Sequence, residues 1–128
     1  MSRIVLDASA LLALINEETG AEKLSPELLV RATVSAVNLA EVQSKLVSWG
    51  WSQDEAWGDA SGMVGDVAVF TDEHARATGN LIAETRSFGL SLADRACLAL
   101  AVSLNAPVYT ADRSWKNLKL GVRIHVIR

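Results

Sequence analysis

Ile4-Val5-Leu6-Asp7-Ala8-Ser9-Ala10-Leu11-Leu12-Ala13-Leu14-Ile15 opens with a short apolar run bounded by Arg3 and Asp7. Its length and its β-branched pair predict a strand buried on both faces, as in a parallel sheet. Asp7-Ala8-Ser9 breaks the run, and Ala10 to Ile15 are helix formers. Ser9 is placed to cap that helix, because its hydroxyl can accept from the orphan amides of the first turn. A strand leading closely into a helix is therefore the repeating unit to look for. Thr33-Val34-Ser35-Ala36 leads to a helix opening at Asn38 and running to about Trp49. Val67-Ala68-Val69-Phe70 leads to another from near Asp72 to about Arg86.

Ser91 starts a further helix whose apolar content continues through Leu104, and Asn105-Ala106-Pro107 stops it before the run Val108-Tyr109-Thr110. Ile124 to Ile127 supplies a last strand. Strands alternating with helices predict an α/β fold, a small parallel sheet of about five strands covered by helices on both faces through right-handed crossovers. Between Gly50 and Gly65 a helix from Gln53 to about Ala60 is expected, weakened by glycines at 58, 62 and 65.

The chain has 128 residues, which points to one domain spanning 1–128, because halves would be too small for cores of their own. Half the residues are apolar and 21% are charged, enough apolar surface to offset the entropy of ordering the chain. The longest apolar run, Ala96 to Val102, falls far short of the roughly 20 residues of a membrane-spanning helix. The amino terminus has no charged stretch leading into an apolar signal core, and a soluble cytoplasmic protein is expected. Cys97 is the only cysteine and sits inside that apolar run, so it is expected to pack as a small hydrophobe.

Twelve Lys and Arg against fifteen Asp and Glu give a net charge of -3, which argues against a protein that blankets phosphates with positive charge. Nucleic-acid binding, if present, must be local. The charge is uneven: after Asp112 come Arg113, Lys116, Lys119, Arg123 and Arg128 with no further acid. That run predicts a basic face, which a merely solvated surface would also explain.

Ligands of open parallel sheets bind outside the carboxyl ends of the strands. Asp7 directly succeeds the first strand, Glu41 lies in the first turn of the helix after the second, and Asp112 comes two residues after the run ending at Thr110. Asp94 lies in the first turn of the helix that feeds that run. Each acid has an innocent role. Asn38-Leu39-Ala40-Glu41 and Ser91-Leu92-Ala93-Asp94 both fit a capping pattern, and Asp7 and Asp112 can cap the segments after them. Capping alone does not require four carboxylates at one edge of one sheet, however. At an effective dielectric of about 20, two unit charges 4 Å apart cost roughly 4 kcal/mol, so such a cluster calls for a cation. Oxygen-only ligation without His or Cys selects a hard ion, Mg²⁺ or Mn²⁺, whose remaining positions water and substrate phosphate would fill. Phosphodiester hydrolysis is the chemistry that such an ion supports.

Four segments carry a resemblance: Leu6-Asp7-Ala8-Ser9-Ala10-Leu11-Leu12, Ser35-Ala36-Val37-Asn38-Leu39-Ala40-Glu41, Leu90-Ser91-Leu92-Ala93-Asp94-Arg95 with Leu98-Ala99-Leu100-Ala101, and Tyr109-Thr110-Ala111-Asp112-Arg113-Ser114-Trp115. In order and spacing they resemble the PIN domain nucleases, and among them the VapC-like toxins of bacterial toxin–antitoxin pairs. The resemblance implies a metal-dependent endoribonuclease whose catalytic and metal-binding acids are Asp7, Glu41, Asp94 and Asp112, acting on RNA. Asp7 and Asp94 are implied as the most direct ligands, with Ser9, Asn38 and Thr110 orienting carboxylates or water. It also implies a cognate antitoxin that packs a tail into an apolar groove, and a homodimer. The alternatives are a PIN-type RNA-processing nuclease outside any such pair and a non-enzymatic acidic signalling domain. The latter would want adjacent acids after the first strand and an acceptor Asp after the third. An aspartate-nucleophile phosphatase would want a second acid near Asp7, where position 9 is serine.

Trp49, Trp51 and Trp57 suggest base stacking, but core or interface packing is the stronger expectation. His74 is expected to be solvated and His125 to be structural. Leu11, Leu12, Leu14, Ile15, Leu24, Leu28 and Leu29 exceed what one face of a small sheet absorbs, leaving some to form a groove.

Overall fold

Ile4, Val5 and Leu6 form the central strand β1, and none is more than 1% exposed. Ile4 and Leu6 point into one apolar cluster and Val5 into the other, which is why the run shows no polar alternation. The computed structural model describes residues 2–128. After β1 come α1 (Ala8–Ile15), a 3₁₀ turn at Ala21–Lys23, α2 (Pro26–Val30), β2 (Ala32–Ser35), α3 (Ala36–Ser48), α4 (Gln53–Gly62) and β3 (Asp66–Ala68). Next are α5 (Asp72–Asn80), α6 (Ile82–Thr85), a 3₁₀ turn at Arg86–Phe88, α7 (Leu92–Leu104), β4 (Val108–Thr110), a 3₁₀ turn at Arg113–Asn117 and β5 (Ile124–Val126).

The five strands are parallel in the order β3-β2-β1-β4-β5. From β1 the chain builds outward to β2 and β3, then returns to lay β4 on the other side of β1. The switch point between β1 and β4 is where such sheets open a crevice at their carboxyl edge. One face of the sheet packs on α1, α3 and α4 through Leu6, Leu11, Val34, Leu39 and Leu46. The other packs on α7 and Trp115 through Val5, Cys97, Leu98 and Val108. Among the described residues no single helix is long and apolar enough to cross a membrane.

Two helix starts differ from the sequence reading. Helix α1 begins at Ala8, capped by Asp7, whose carboxylate accepts from the Ala10 amide at 2.8 Å. Ser9 is therefore inside the helix and does not cap it. Helix α3 begins at Ala36, capped by Ser35, so Asn38 lies within it and Glu41 falls in its second turn rather than its first. In both cases the last strand residue or its neighbour keeps the extended backbone that an N-cap needs, and strand passes into helix with no loop. β3 ends at Ala68, short of Val69 and Phe70, and the helix from Asp72 breaks at Leu81 into α5 and α6. Helix α4 runs two residues past Ala60, and its glycines 58 and 62 face open space. Gly65 is different: its amide donates to Leu29 and Ala32 carbonyls, and a Cβ there would collide with the Val30 carbonyl.

Leu11 and Leu24 are buried, whereas Leu29 and the 66%-exposed Val30 line a shallow apolar hollow with Met63 and Val64. Trp51 packs on the core, while Trp49 and Trp57 are about half exposed. His74 is partly buried, with Nδ1 3.2 Å from the Val69 carbonyl in a solvent-exposed contact.

Candidate active site

Asp7 stands where β1 ends and is only 3% exposed. Its Oδ1 accepts from the Ala10 amide, its Oδ2 accepts from the Thr110 hydroxyl at 2.6 Å, and the Ser9 hydroxyl lies 2.8 and 2.9 Å from the two oxygens. Each hydroxyl also accepts an amide from the stretch after β4: Ser9 Oγ from Ala111 at 2.9 Å and Thr110 Oγ1 from Asp112 at 3.0 Å. Two hydroxyls thus lock the ends of β1 and β4 around one carboxylate. Burial pushes the Asp7 carboxyl up from 3.8 to about 6, although the bonds from Thr110, Ala10 and Ser9 pull it down, and the Asp94 charge adds to the rise.

Asp94 forms a capping box with Ser91: the Ser91 amide donates to its Oδ2 at 3.0 Å, and its own amide donates to Ser91 Oγ at 3.1 Å. Among the described residues no protein donor meets its Oδ1. Asn38 is buried in α3, and its Nδ2 donates to the Ala93 carbonyl at 3.0 Å, tying α3 to the turn that carries Asp94. The same Nδ2 is 3.5 Å from Glu41 Oε1, while its Oδ1 is buried without a partner among the described residues. Asp112 caps the 3₁₀ turn after β4, with Oδ1 accepting from the Ser114 amide and hydroxyl at 2.9 and 2.7 Å.

Asp7, Glu41, Asp94 and Asp112 all line one cleft of about 230 Å³, with Ser9, Leu12 and Lys45. Beneath it lies Cys97, whose thiol is pushed well up by burial and by the charges of Asp7, Asp94 and Glu41. It therefore stays protonated, and three acids lie within electrostatic reach of the same buried point. The residue that sequence reasoning missed is Lys45, four residues after Glu41 on α3. That spacing puts both on one helix face, which is the signal that would have found it.

The donor chemistry of the cleft fits a hard divalent cation. All four carboxylates are oxygen donors, and the Asp94 Oδ1 is unclaimed. The carboxylates line the cleft without forming a cage: among the described residues no three His, Cys, Asp or Glu side chains stand close enough to hold one ion. As a nucleophile toward phosphate, Asp7 is poorly presented, since it is buried with both oxygens engaged.

The PIN domain family model matches residues 4–120. The chain belongs to the PIN domain family. Its fold is similar to DNA-bound VapBC from Salmonella typhimurium, with a TM-score of 0.76 at 19% identity over 100% of both chains. It is also similar to a toxin–antitoxin complex from Klebsiella pneumoniae, at 0.75 and 15% over 98% of each chain. VapBC2 from Rickettsia felis, bound to a promoter DNA fragment, matches at 0.70 and 20% over 94% of this chain and 96% of that one. Comparison with the curated proteins finds no match. In this PIN domain the four acids that line the cleft come from the end of β1, from α3 and α7, and from the turn after β4.

Proposed function

We propose that this PIN domain is a divalent-metal-dependent endoribonuclease, the toxin of a toxin–antitoxin pair, cutting RNA phosphodiester bonds in the cytoplasm. The observation that carries the reading is the placement of Asp7, Glu41, Asp94 and Asp112 around a single cleft at the switch point of a PIN fold. The toxin–antitoxin complexes among its structural neighbours support an antitoxin partner; the homodimer is part of the proposal. Asp7, Glu41, Asp94 and Asp112 would hold the ion, directly or through water. Bound there, Mg²⁺ or Mn²⁺ would supply an acidified water and offset charge building on the phosphate oxygens.

The chain's own side chains do the positioning. Ser9 and Thr110 fix the plane of the Asp7 carboxylate, and Asn38 holds the Asp94 turn against α3. Lys45 gives the cleft a cation facing four acids, suited to steering a phosphate inward. The test is to incubate purified protein with structured RNA in Mg²⁺, in EDTA, and as Asp94→Asn. Cleavage in the first case alone supports the reading. Cleavage that survives chelation overturns the metal mechanism.

A further inference from the structure

A second hollow, of about 630 Å³, opens over β4 and β5. Tyr109 and His125 are partners in the β4–β5 register, so their side chains rise from the same face of the sheet. Their rings stack with centroids 4.6 Å apart and planes 18° from parallel. Lys23, Arg113, Lys116 and Arg128 surround this aromatic floor, and no acid lines the hollow. Arg128 is engaged: its guanidinium meets Glu18 at 2.6 Å. Arg113 Nε donates to the Arg128 carbonyl at 3.1 Å. Lys23 and Lys116 have no carboxylate within 4 Å among the described residues.

A chain of net charge -3 has thus gathered cations, without acids between them, over a stacked aromatic pair. The hollow also borders the acid cleft along the backbone, since Asp112 lines the cleft and the next residue, Arg113, lines the hollow. Burial and the Arg123 charge push His125 down from its ordinary value, which keeps the ring neutral near pH 7 and leaves its face to stacking.

We propose that the hollow over β4–β5 is a subsite for the single-stranded RNA flanking the bond to be cut. Lys23, Lys116 and Arg113 meet its phosphates, and a base lies against the Tyr109–His125 stack. The proposal rests on the ribonuclease reading for its substrate class. Positive side chains tracking a backbone and aromatic rings accepting any base are the two means by which proteins hold single strands without reading sequence.

The test measures binding apart from cleavage. A short fluorescein-labelled single-stranded RNA is titrated in EDTA at several salt concentrations, by anisotropy, against the wild type, Lys23→Ala/Lys116→Ala and His125→Ala. Melting temperatures confirm that the variants are folded. The double variant should bind about tenfold more weakly, with the slope of log affinity against log salt smaller by about 1.4. His125→Ala should also weaken binding by about tenfold but leave the slope unchanged. A double variant with wild-type affinity and slope overturns the proposal. It is equally overturned if these substitutions spare RNA binding but abolish association with a co-expressed partner protein. Cleavage is then measured separately in Mg²⁺. Weakened binding without any cleavage in the wild type would sink the nuclease reading and leave the subsite standing. Cleavage with KM unchanged in a double variant that still binds RNA normally would do the reverse.

Discussion

The acid cleft and the basic hollow meet at the Asp112–Arg113 peptide, yet they are built in opposite ways. In the cleft, short side chains are held by short bonds: Asp7 is buried under two hydroxyls and an amide, and Asp94 is locked to Ser91. In the hollow, long side chains reach over an aromatic floor, and the ion pair of Arg128 with Glu18 is more than a third exposed on both sides. The cleft fixes geometry at the expense of crowded charge. The hollow supplies charge and leaves geometry loose. That division suits chemistry on one side of the shared backbone and grip on the other.

The comparison breaks most visibly at Asp94. Asp94→Asn keeps an oxygen for the Ser91 amide but removes a negative charge from the cleft. RNA cleavage should fall by about 10³-fold or more, close to 4 kcal/mol of barrier, with the melting temperature little changed. Full activity in this variant would show that the acids are only helix caps.

The pH dependence of stability separates the regions next. The Asp7 carboxyl is raised in the folded protein from 3.8 to about 6, so the native state holds a proton that the unfolded chain has released over that window. Its contribution is therefore fully present below about pH 4 and is lost as pH rises to about 6, on the order of 3 kcal/mol at full effect. Urea denaturation in EDTA should show this loss in the wild type and a flatter profile in Asp7→Asn. Mg²⁺ should restore stability above pH 6, where the carboxylate is ionised. Identical profiles for the two proteins would mean that Asp7 is not strained by its burial.

Thr110→Val tests the lock itself. It removes the 2.6 Å donor of Asp7 and the acceptor of the Asp112 amide while keeping the side chain's volume. The expected cost is about 1–3 kcal/mol in denaturant, with Mg²⁺ affinity lower by roughly 10- to 100-fold. RNA binding in EDTA should be unaffected, because the hollow does not depend on Thr110.

The same division decides how much was legible in the sequence. The β1 run and the α7 run could be read because burial on both faces leaves nothing polar in them. The order in which the acids succeed the strands could be read too, since a parallel sheet presents its carboxyl ends on one edge. The helix starts were harder, because Asp7 and Ser35 satisfy strand and cap requirements together, and no loop between the two elements marks the boundary. β3 is an edge strand, only partly buried, so the apolar Val69 and Phe70 give no sign of where pairing stops. The basic face after Asp112 was visible as composition. Lys23 joining it was not, since nothing local to the turn at Ala21–Lys23 says that it folds against β5.

Glu18 gives the smallest and most discriminating effect. Its carboxylate accepts from Arg128 at 2.6 Å, a bond that holds its pKa below the usual carboxylate range, and it thereby withdraws one cation from the hollow. Because both partners are more than a third exposed, solvent screening leaves the pair worth under about 1 kcal/mol to the fold. Glu18→Gln should therefore shift the melting temperature by no more than a few degrees. If the hollow holds RNA by charge, freeing Arg128 adds a phosphate contact, and affinity in EDTA should rise a few-fold with a salt slope steeper by up to about 0.7. An unchanged slope would mean that the strand does not pass Arg128, and would confine the grip to Lys23, Arg113 and Lys116. Cleavage of a saturating substrate should not respond, since kcat belongs to the cleft and only the approach of the strand belongs to the hollow.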